Sequence, residues 1–519
     1  MPTEIRVAES STLDGPAPPR PSASAGPPTG GAWVVLRPLL LRLHFYAGVL
    51  VAPFLLVAAV TGILYAGSLQ AEKIVYDHEL RVPVGSHRLP LEKQVAAARA
   101  AYPEGTIDAI RPGAGPGTTT RVLLDVPGLK ESHRLAVFVD PYRGEARGAL
   151  DVYGNSGALP LRTWIDGLHR DLHLGDAGRL YSELAASWLW VVALGGVLLW
   201  LGERRNVRRT RRTLLPETGA KGRRRTLSWH GAVGLWAAAG FCFLSATGLT
   251  WSQYAGQNIT DLRAALSWET PAVSTEPAHH GAGPDATEGA DAPGGAGSAH
   301  GAHQDGAGED DGDGAVSGAG PHGAGAGDVG VDRVLRAARE EGLSDPVEIR
   351  FPTGPGLPYS VKQIKNSWPE KHDAVAVAPA TGEVTEVIRF DDWPLAAKLS
   401  RWGIDAHMGL LFGVANQIVL VALMAALILV ISLGYRMWWR RRPTRPAPGE
   451  RDRRAWGRPP VRGAWRRVPG RILAPLTLLA AVLGYYVPLL GISLLLFLAL
   501  DLALAAYARR RALATGDVR

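Results

Sequence analysis

The chain has 519 residues with 62 Gly, 38 Pro and a formal charge of +8, and its apolar residues are gathered into long blocks with Gly and Pro crowded between them. Its one cysteine, Cys242, excludes an internal disulfide, a thiolate zinc site, a Cys-ligated iron–sulfur cluster and the CxxCH attachment of c-type haem. Lys and Arg cluster beside the apolar blocks rather than on a face of a soluble domain, which speaks against nucleic acid and for a membrane protein.

In chain order, residues 1–37 are rich in Pro, Ser and Ala and read as a disordered tail. They show no cleavage site, so the first span is expected to be uncleaved. A bilayer is crossed by about 20 mostly apolar residues, and Leu39 to Leu69, Leu184 to Leu201, Ser228 to Trp251 and Val414 to Leu433 are near that length. Residues 203–225 carry ten Lys/Arg against two acids, and residues 436–471 carry thirteen Arg against two acids. Both stretches are therefore expected on the cytoplasmic side, with the N-terminus. Residues 66–166 balance twelve bases with twelve acids and residues 253–405 hold eleven against twenty-four, so these two regions are expected outside. After an Arg-rich linker (439–471), residues 472–508 are long enough for a transmembrane hairpin bent around Tyr485 to Gly491.

The chain contains an internal repeat. Gly48 and Thr61-Gly62 follow His44 at the offsets, four and seventeen, at which Gly234 and Thr247-Gly248 follow His230. LHRDLHLG precedes the second span and AHMGLLFG the fourth, with His169 to Gly175 and His407 to Gly413 both six apart. Ala136 to Glu145 parallels Ala374 to Glu383, each an alternating strand entering a Pro/Gly turn. Leu91 to Ala101 and Val331 to Glu341 read as amphipathic helices. Each unit is thus helix, small α+β domain, helix: residues 38–202 with a domain at about 70–160, and residues 226–438 with a domain at about 331–392. The expected fold is a membrane α-helical bundle of four core helices plus a C-terminal hairpin, carrying two small extracytoplasmic α+β domains.

Ionisable groups beside spans are costly and suggest function. His44 and His230 start outward-running helices at the inner edge, while His169 and His407 precede inward-running helices at the outer edge. Two histidines at each face, from different helices, suit two bis-histidine haems of b type. The glycines four or six positions beyond each His would let a flat macrocycle approach the backbone. His173, one turn beyond His169 on the same face, could replace it as ligand, bond a propionate or only contact water; His169 is the favoured ligand. An interfacial His bonded to a headgroup or carbonyl is the plainer reading of any one of these positions; its recurrence in both units favours the haem set.

With paired spans flanking α+β domains, His44, LHRDLHLG, Trp229-His230 and the His407 segment, the chain resembles the PepSY-associated transmembrane proteins over residues 38–438. That resemblance implies PepSY-like domains, a bacterial cytoplasmic membrane, haem b at His44, His169, His230 and His407, and outward electron transfer to a ferric siderophore or other metal chelate. His173 stands where the family often has Leu. The family pattern does not account for the insert at 277–330 or for the C-terminal hairpin.

That insert holds His279, His280, His300, His303 and His322 among Gly, Ala, Asp and Glu, and reads as a flexible linker. Weak binding of copper, zinc or iron is one reading and a solvated spacer the other. Gly113, Gly115 and Gly117 lack the strand-to-helix context of a dinucleotide site, and no Walker, HExxH or GxSxG motif occurs. Any electrons must come from membrane quinol or a separate cytosolic reductase. A copper reductase, or a non-enzymatic sensor or protease modulator, is the competing expectation.

Overall fold

The computed structural model describes residues 32–204, 214–274, 328–440 and 468–514. Most of the predicted N-terminal tail, the five-histidine insert and much of both basic stretches lie outside the described residues.

The predicted first span is two helices, α1 (Ala32–Leu50) and α2 (Ala52–Val75), with only Val51 between them. Pro53 has no N–H, so it strands the Val49 carbonyl, and the Tyr435 hydroxyl donates to that carbonyl at 2.9 Å. Backbone bonds still run through the break, from Val51 to Ala47 at 2.8 Å and from Leu55 to Val51 at 3.1 Å. The chain continues through α3 (Asp77–Leu80), α4 (Leu91–Ala101), β1 (Thr106–Arg111), β2 (Thr120–Asp125), β3 (His133–Val139), β4 (Ala146–Tyr153), α5 (Pro160–Arg170) and α6 (Asp176–Arg204). The second unit repeats this order: α7 (Gly222–Leu249), α8 (Tyr254–Ala265), α9 (Val331–Glu340), β5 (Val347–Arg350), β6 (Tyr359–Gln363), β7 (Ala374–Val377), β8 (Val384–Ile388), α10 (Leu395–His407) and α11 (Gly413–Trp439). Last come α12 (Gly470–Tyr486) and α13 (Pro488–Ala514).

Among the described residues, α1, α2, α6, α7, α11 and α13 are long and apolar enough to cross a membrane, whereas α12 has 17 residues. Four rods close into a ring: α2 packs on α11, α11 on α7, α7 on α6, and α6 on α1. Small and large side chains interdigitate inside it, Ala47 and Ala59 beside Leu55, Trp188, Phe241 and Met424. Pro488 forces Val487 out of the helical region, so the C-terminal pair folds back at that point. Its tip is held by Asn258 Nδ2, which donates to the carbonyls of Tyr485 and Tyr486 at 3.1 and 3.2 Å. Trp188 Nε1 donates to Ser493 Oγ at 2.8 Å, and Arg42 pairs with Asp501.

The two predicted α+β domains do not stand apart. Their strands form one eight-stranded antiparallel sheet in the order β4-β3-β2-β1-β5-β6-β7-β8. The halves meet where β1 pairs with β5, with Ala109 opposite Arg350 and Ile110 opposite Ile349. Each half alone would leave that strand as an open edge of unpaired N–H and C=O groups; joining them satisfies both. Helices α4 and α9 share one core with the sheet, in which Ile110, Val122, Val137, Val334, Ile349 and Val361 are all fully buried. Each such side chain contributes about 1.5–3 kcal/mol. Two further links cross the join. Asp332 accepts from the Leu91 and Glu92 N–H groups at 2.9 and 3.1 Å, capping α4, and Arg111 Nε meets Glu348 Oε2 at 2.6 Å. The repeated Pro/Gly turns are matched hairpins in which Gly144 and Gly382 adopt φ of 72° and 70°, a conformation costly for other residues.

Candidate functional site

The repeat brings the histidines together in two pairs. His44 on α1 and His230 on α7 face each other across the bundle with ring centres 6.2 Å apart and planes 80° apart. His44 Nδ1 lies 3.0 Å from the Val192 carbonyl of α6, and His230 Nδ1 lies 3.0 Å from the Val430 carbonyl of α11. A carbonyl only accepts, so each Nδ1 carries the proton and each Nε2 keeps its lone pair. Gly196 and Gly434 make room for the rings: a Cβ there would stand 3.2 Å from His44 Cε1 and 3.7 Å from His230 Cε1.

At the sheet end, His169 closes α5 and His407 closes α10. His169 Nδ1 is 2.8 Å from Thr61 Oγ1 of α2, and His407 Nδ1 is 2.7 Å from Thr247 Oγ1 of α7. Both hydroxyls already donate within their own helices, Thr61 to Val57 at 2.9 Å and Thr247 to Phe243 at 2.8 Å. With those protons given to the helix carbonyls, the hydroxyls accept from the imidazoles and Nε2 is again the open nitrogen. Tyr65 and Trp251 lie beside the two rings, at 6.5 and 5.3 Å between centres. Burial holds the His407 imidazole well below its usual pKa, and charge on His169 would lower it further.

All four imidazoles thus present the same nitrogen, fixed by an acceptor from a neighbouring helix, which is how histidine ligands are oriented toward a metal. A Cβ on Gly48 would meet nothing within 4 Å, and one on Gly234 only Val430, at 4.0 Å. Seventeen residues of helix separate His44 from Thr61, about 25 Å at 1.5 Å per residue. The two pairs accordingly sit at opposite levels of a bundle whose apolar length matches a bilayer.

His173 is not one turn along the same helical face. Helix α5 ends at Arg170, and Leu172 and His173 turn through left-handed φ values of 56° and 55°. The His173 N–H donates to Asp171 Oδ1 at 2.8 Å, and its exposed ring lies 5.1 Å from that of Trp164. The broken helix, signalled in the sequence only by the Asp171 that follows Arg170, takes it away from the other four.

Sequence reading missed a second cluster. Glu370 and His372, in the connection between β6 and β7, meet Asp405 of α10, with one ligand-type atom from each within 4.8 Å of the others. Burial pushes the Glu370 and Asp405 carboxyls up to about 7, against the pull of Arg401. The signals available were an acid and a His two positions apart and an acid two positions before His407, both common patterns. Thr61 and Thr247 were visible as repeated residues, though not as partners of histidines a hundred or more positions away.

None of the curated proteins compared with the chain matches it. The family described as the PepSY-associated TM region, however, matches residues 41–441, a stretch that contains all four paired histidines, both halves of the sheet and all of the ring except the start of α1. The chain belongs to the PepSY-associated transmembrane family.

Proposed function

We propose that the protein is a di-haem b-type electron carrier of a bacterial cytoplasmic membrane, reducing ferric chelates such as siderophores outside the cell. The observation that carries this reading is the common tautomer of His44, His230, His169 and His407, each with Nε2 left for a ligand bond. A metal–imidazole bond is about 2.0–2.1 Å. Two imidazoles that would hold one iron through their Nε2 atoms would have ring centres about 6 Å apart. The 6.2 Å between His44 and His230 fits that spacing.

Haem iron would supply one-electron redox chemistry at each pair. The chain's own residues fix the imidazoles through Val192, Val430, Thr61 and Thr247, and line the interior with Ala, Leu, Phe and Met that exclude water. His169 and His407 sit at the ends of α5 and α10, the helices that follow β4 and β8, so a chelate held by the sheet outside the membrane would be nearest to them. His44 and His230 lie at the end where the basic stretches begin, near a quinol or a reductase. The chain topology supports this sidedness, because the sheet joins one end of the four rods and the Arg-rich connections join the other. A ferrous product stands low in the divalent affinity order, which favours its release from oxygen-rich chelates. The ferric chelate itself follows from the family resemblance.

The test is a pyridine haemochrome assay on purified protein, with about two noncovalent haems per chain expected and none overturning the reading. Chemically reduced protein should then be reoxidised by ferric siderophores. Reoxidation by cupric ion alone would replace iron by copper as the substrate. A colourless protein would leave the binding-module reading.

A further inference from the structure

We propose that Glu370, His372 and Asp405 form a site for a divalent first-row cation such as zinc, clamping the sheet to the helix that carries His407. The donor set is one imidazole and two carboxylates, with ligand-type atoms mutually within 4.8 Å. That mixture of nitrogen and oxygen suits zinc, manganese or ferrous ion better than calcium, which takes oxygen alone, or the soft ions that prefer thiolate.

Glu370 is the independent observation. Its side chain is fully enclosed, and neither carboxylate oxygen makes a well-formed hydrogen bond to a fixed donor; the groups it faces are the Asp405 carboxyl, with which it can share a proton, and the His372 imidazole. A buried carboxylate normally takes several, because leaving it unpaired costs several kcal/mol. Here it is aimed at a carboxylate and an imidazole: Glu370 Oε2 stands 3.3 Å from His372 Nε2, with Asp405 beside it. A cation between the three groups is the partner that this arrangement calls for. Asp405 shares its oxygens with Arg401, at 3.0 and 3.3 Å. A carboxylate has about four lone-pair positions, so the guanidinium can hold Asp405 in place while a cation uses the remainder. The His372 ring is wedged between Phe390 and Trp393, with centres at 5.2 and 5.9 Å, which fixes its direction. A cavity of about 210 Å³ lined by Glu370, Lys371, Asp373 and Asp391 adjoins the cluster.

The site belongs to the second unit alone. The offset that aligns Ala136 with Ala374 and His169 with His407 sets Ser132, Arg134 and Gly167 opposite Glu370, His372 and Asp405. Duplication therefore does not explain the three ligands. The connection that bears Glu370 is already anchored to the turn leading into α11, since the Trp368 N–H donates to the Leu411 carbonyl at 2.7 Å. A cation here would fix the position of His407, two residues beyond Asp405. The inference does not depend on haem, and its readout is separate from haem content.

Full-length protein, freed of metal with EDTA and dialysed, should bind zinc, measured as metal per chain by mass spectrometry, and its Tm should rise by several degrees with excess zinc. Glu370→Gln keeps size and removes only the charge, so it should fold, lose one equivalent of zinc and lose the Tm rise. Glu383→Gln, an acid of the β7–β8 turn, should keep both. The histidines at 279–322 are the same in every variant, so zinc held there cancels in the comparison. Equal zinc content and equal Tm rise in wild type and Glu370→Gln would overturn the proposal. So would a wild-type protein whose Tm zinc does not raise, a result that stands even if the variant fails to fold.

Discussion

Thr61 Oγ1 lies 2.8 Å from His169 Nδ1 and 2.9 Å from the Val57 carbonyl, and with its proton given to that carbonyl it accepts from the ring. One side chain on α2 thus decides which nitrogen of a histidine on α5 is free. Loss of such an outer-shell partner costs about 10–100-fold in metal affinity. Thr61→Val should therefore weaken haem retention at the sheet end and shift the midpoint potential of that component, while Thr61→Ser restores both. Thr247→Val should do the same through His407. An unchanged potential in both valine variants would reduce the threonines to packing residues.

The pairing of histidines is tested by which spectral component each variant removes. His44→Ala and His230→Ala should delete one component, and His169→Ala and His407→Ala the other. His173→Ala should leave both, since its ring faces Trp164 at the surface. Deletion of different components by His44→Ala and His230→Ala would refute the arrangement.

Arg111 and Glu348 bridge the two halves of the sheet at 2.6 Å with side chains 9 % and 1 % exposed. Burial opposes ionisation of Glu348, but Arg111 and the neighbouring Lys362, Arg350 and Arg134 outweigh it and bring its pKa down to about 2 from 4.5. The lowered pKa means that the pair's stabilisation is fully present above about pH 4.5 and is lost as pH falls through 2. Glu348→Gln leaves a buried guanidinium without its counter-charge and should cost about 3–5 kcal/mol at neutral pH. It should also flatten the acid limb of stability against pH between about 5 and 2, followed by tryptophan fluorescence. A variant that keeps the wild-type acid limb would assign that limb to other carboxylates.

Deleting residues 279–325 should leave haem content and membrane topology intact, because a Gly- and Asp-rich spacer adds little to packing. Loss of folding, seen as aggregation on size-exclusion chromatography, would show that the insert is part of the structure.

The duplicated His, Gly and Thr positions were legible because helical offsets survive duplication, and both hairpins were legible because Asp140-Pro141 and Ala378-Pro379 each lead into a turn glycine. The joining of β1 to β5 was not, since edge pairing leaves no periodicity within either strand. Nor was the break at Val51: Pro53 is visible, but the Tyr435 that compensates it comes from the far end of the chain. The Glu370 cluster was hidden for the same reason, its third member arriving from a separate helix.

The shared sheet also imposes an order on synthesis. When the first unit has emerged, β2, β3 and β4 can pair, but β1 faces outward with one side unpaired until Val347–Arg350 is made. During that interval the nascent chain presents a short open strand, which other copies of the same strand are equally able to occupy. A chain truncated after α6 should therefore associate through β1 and cross-link there, whereas the complete chain, with β5 in place, should not.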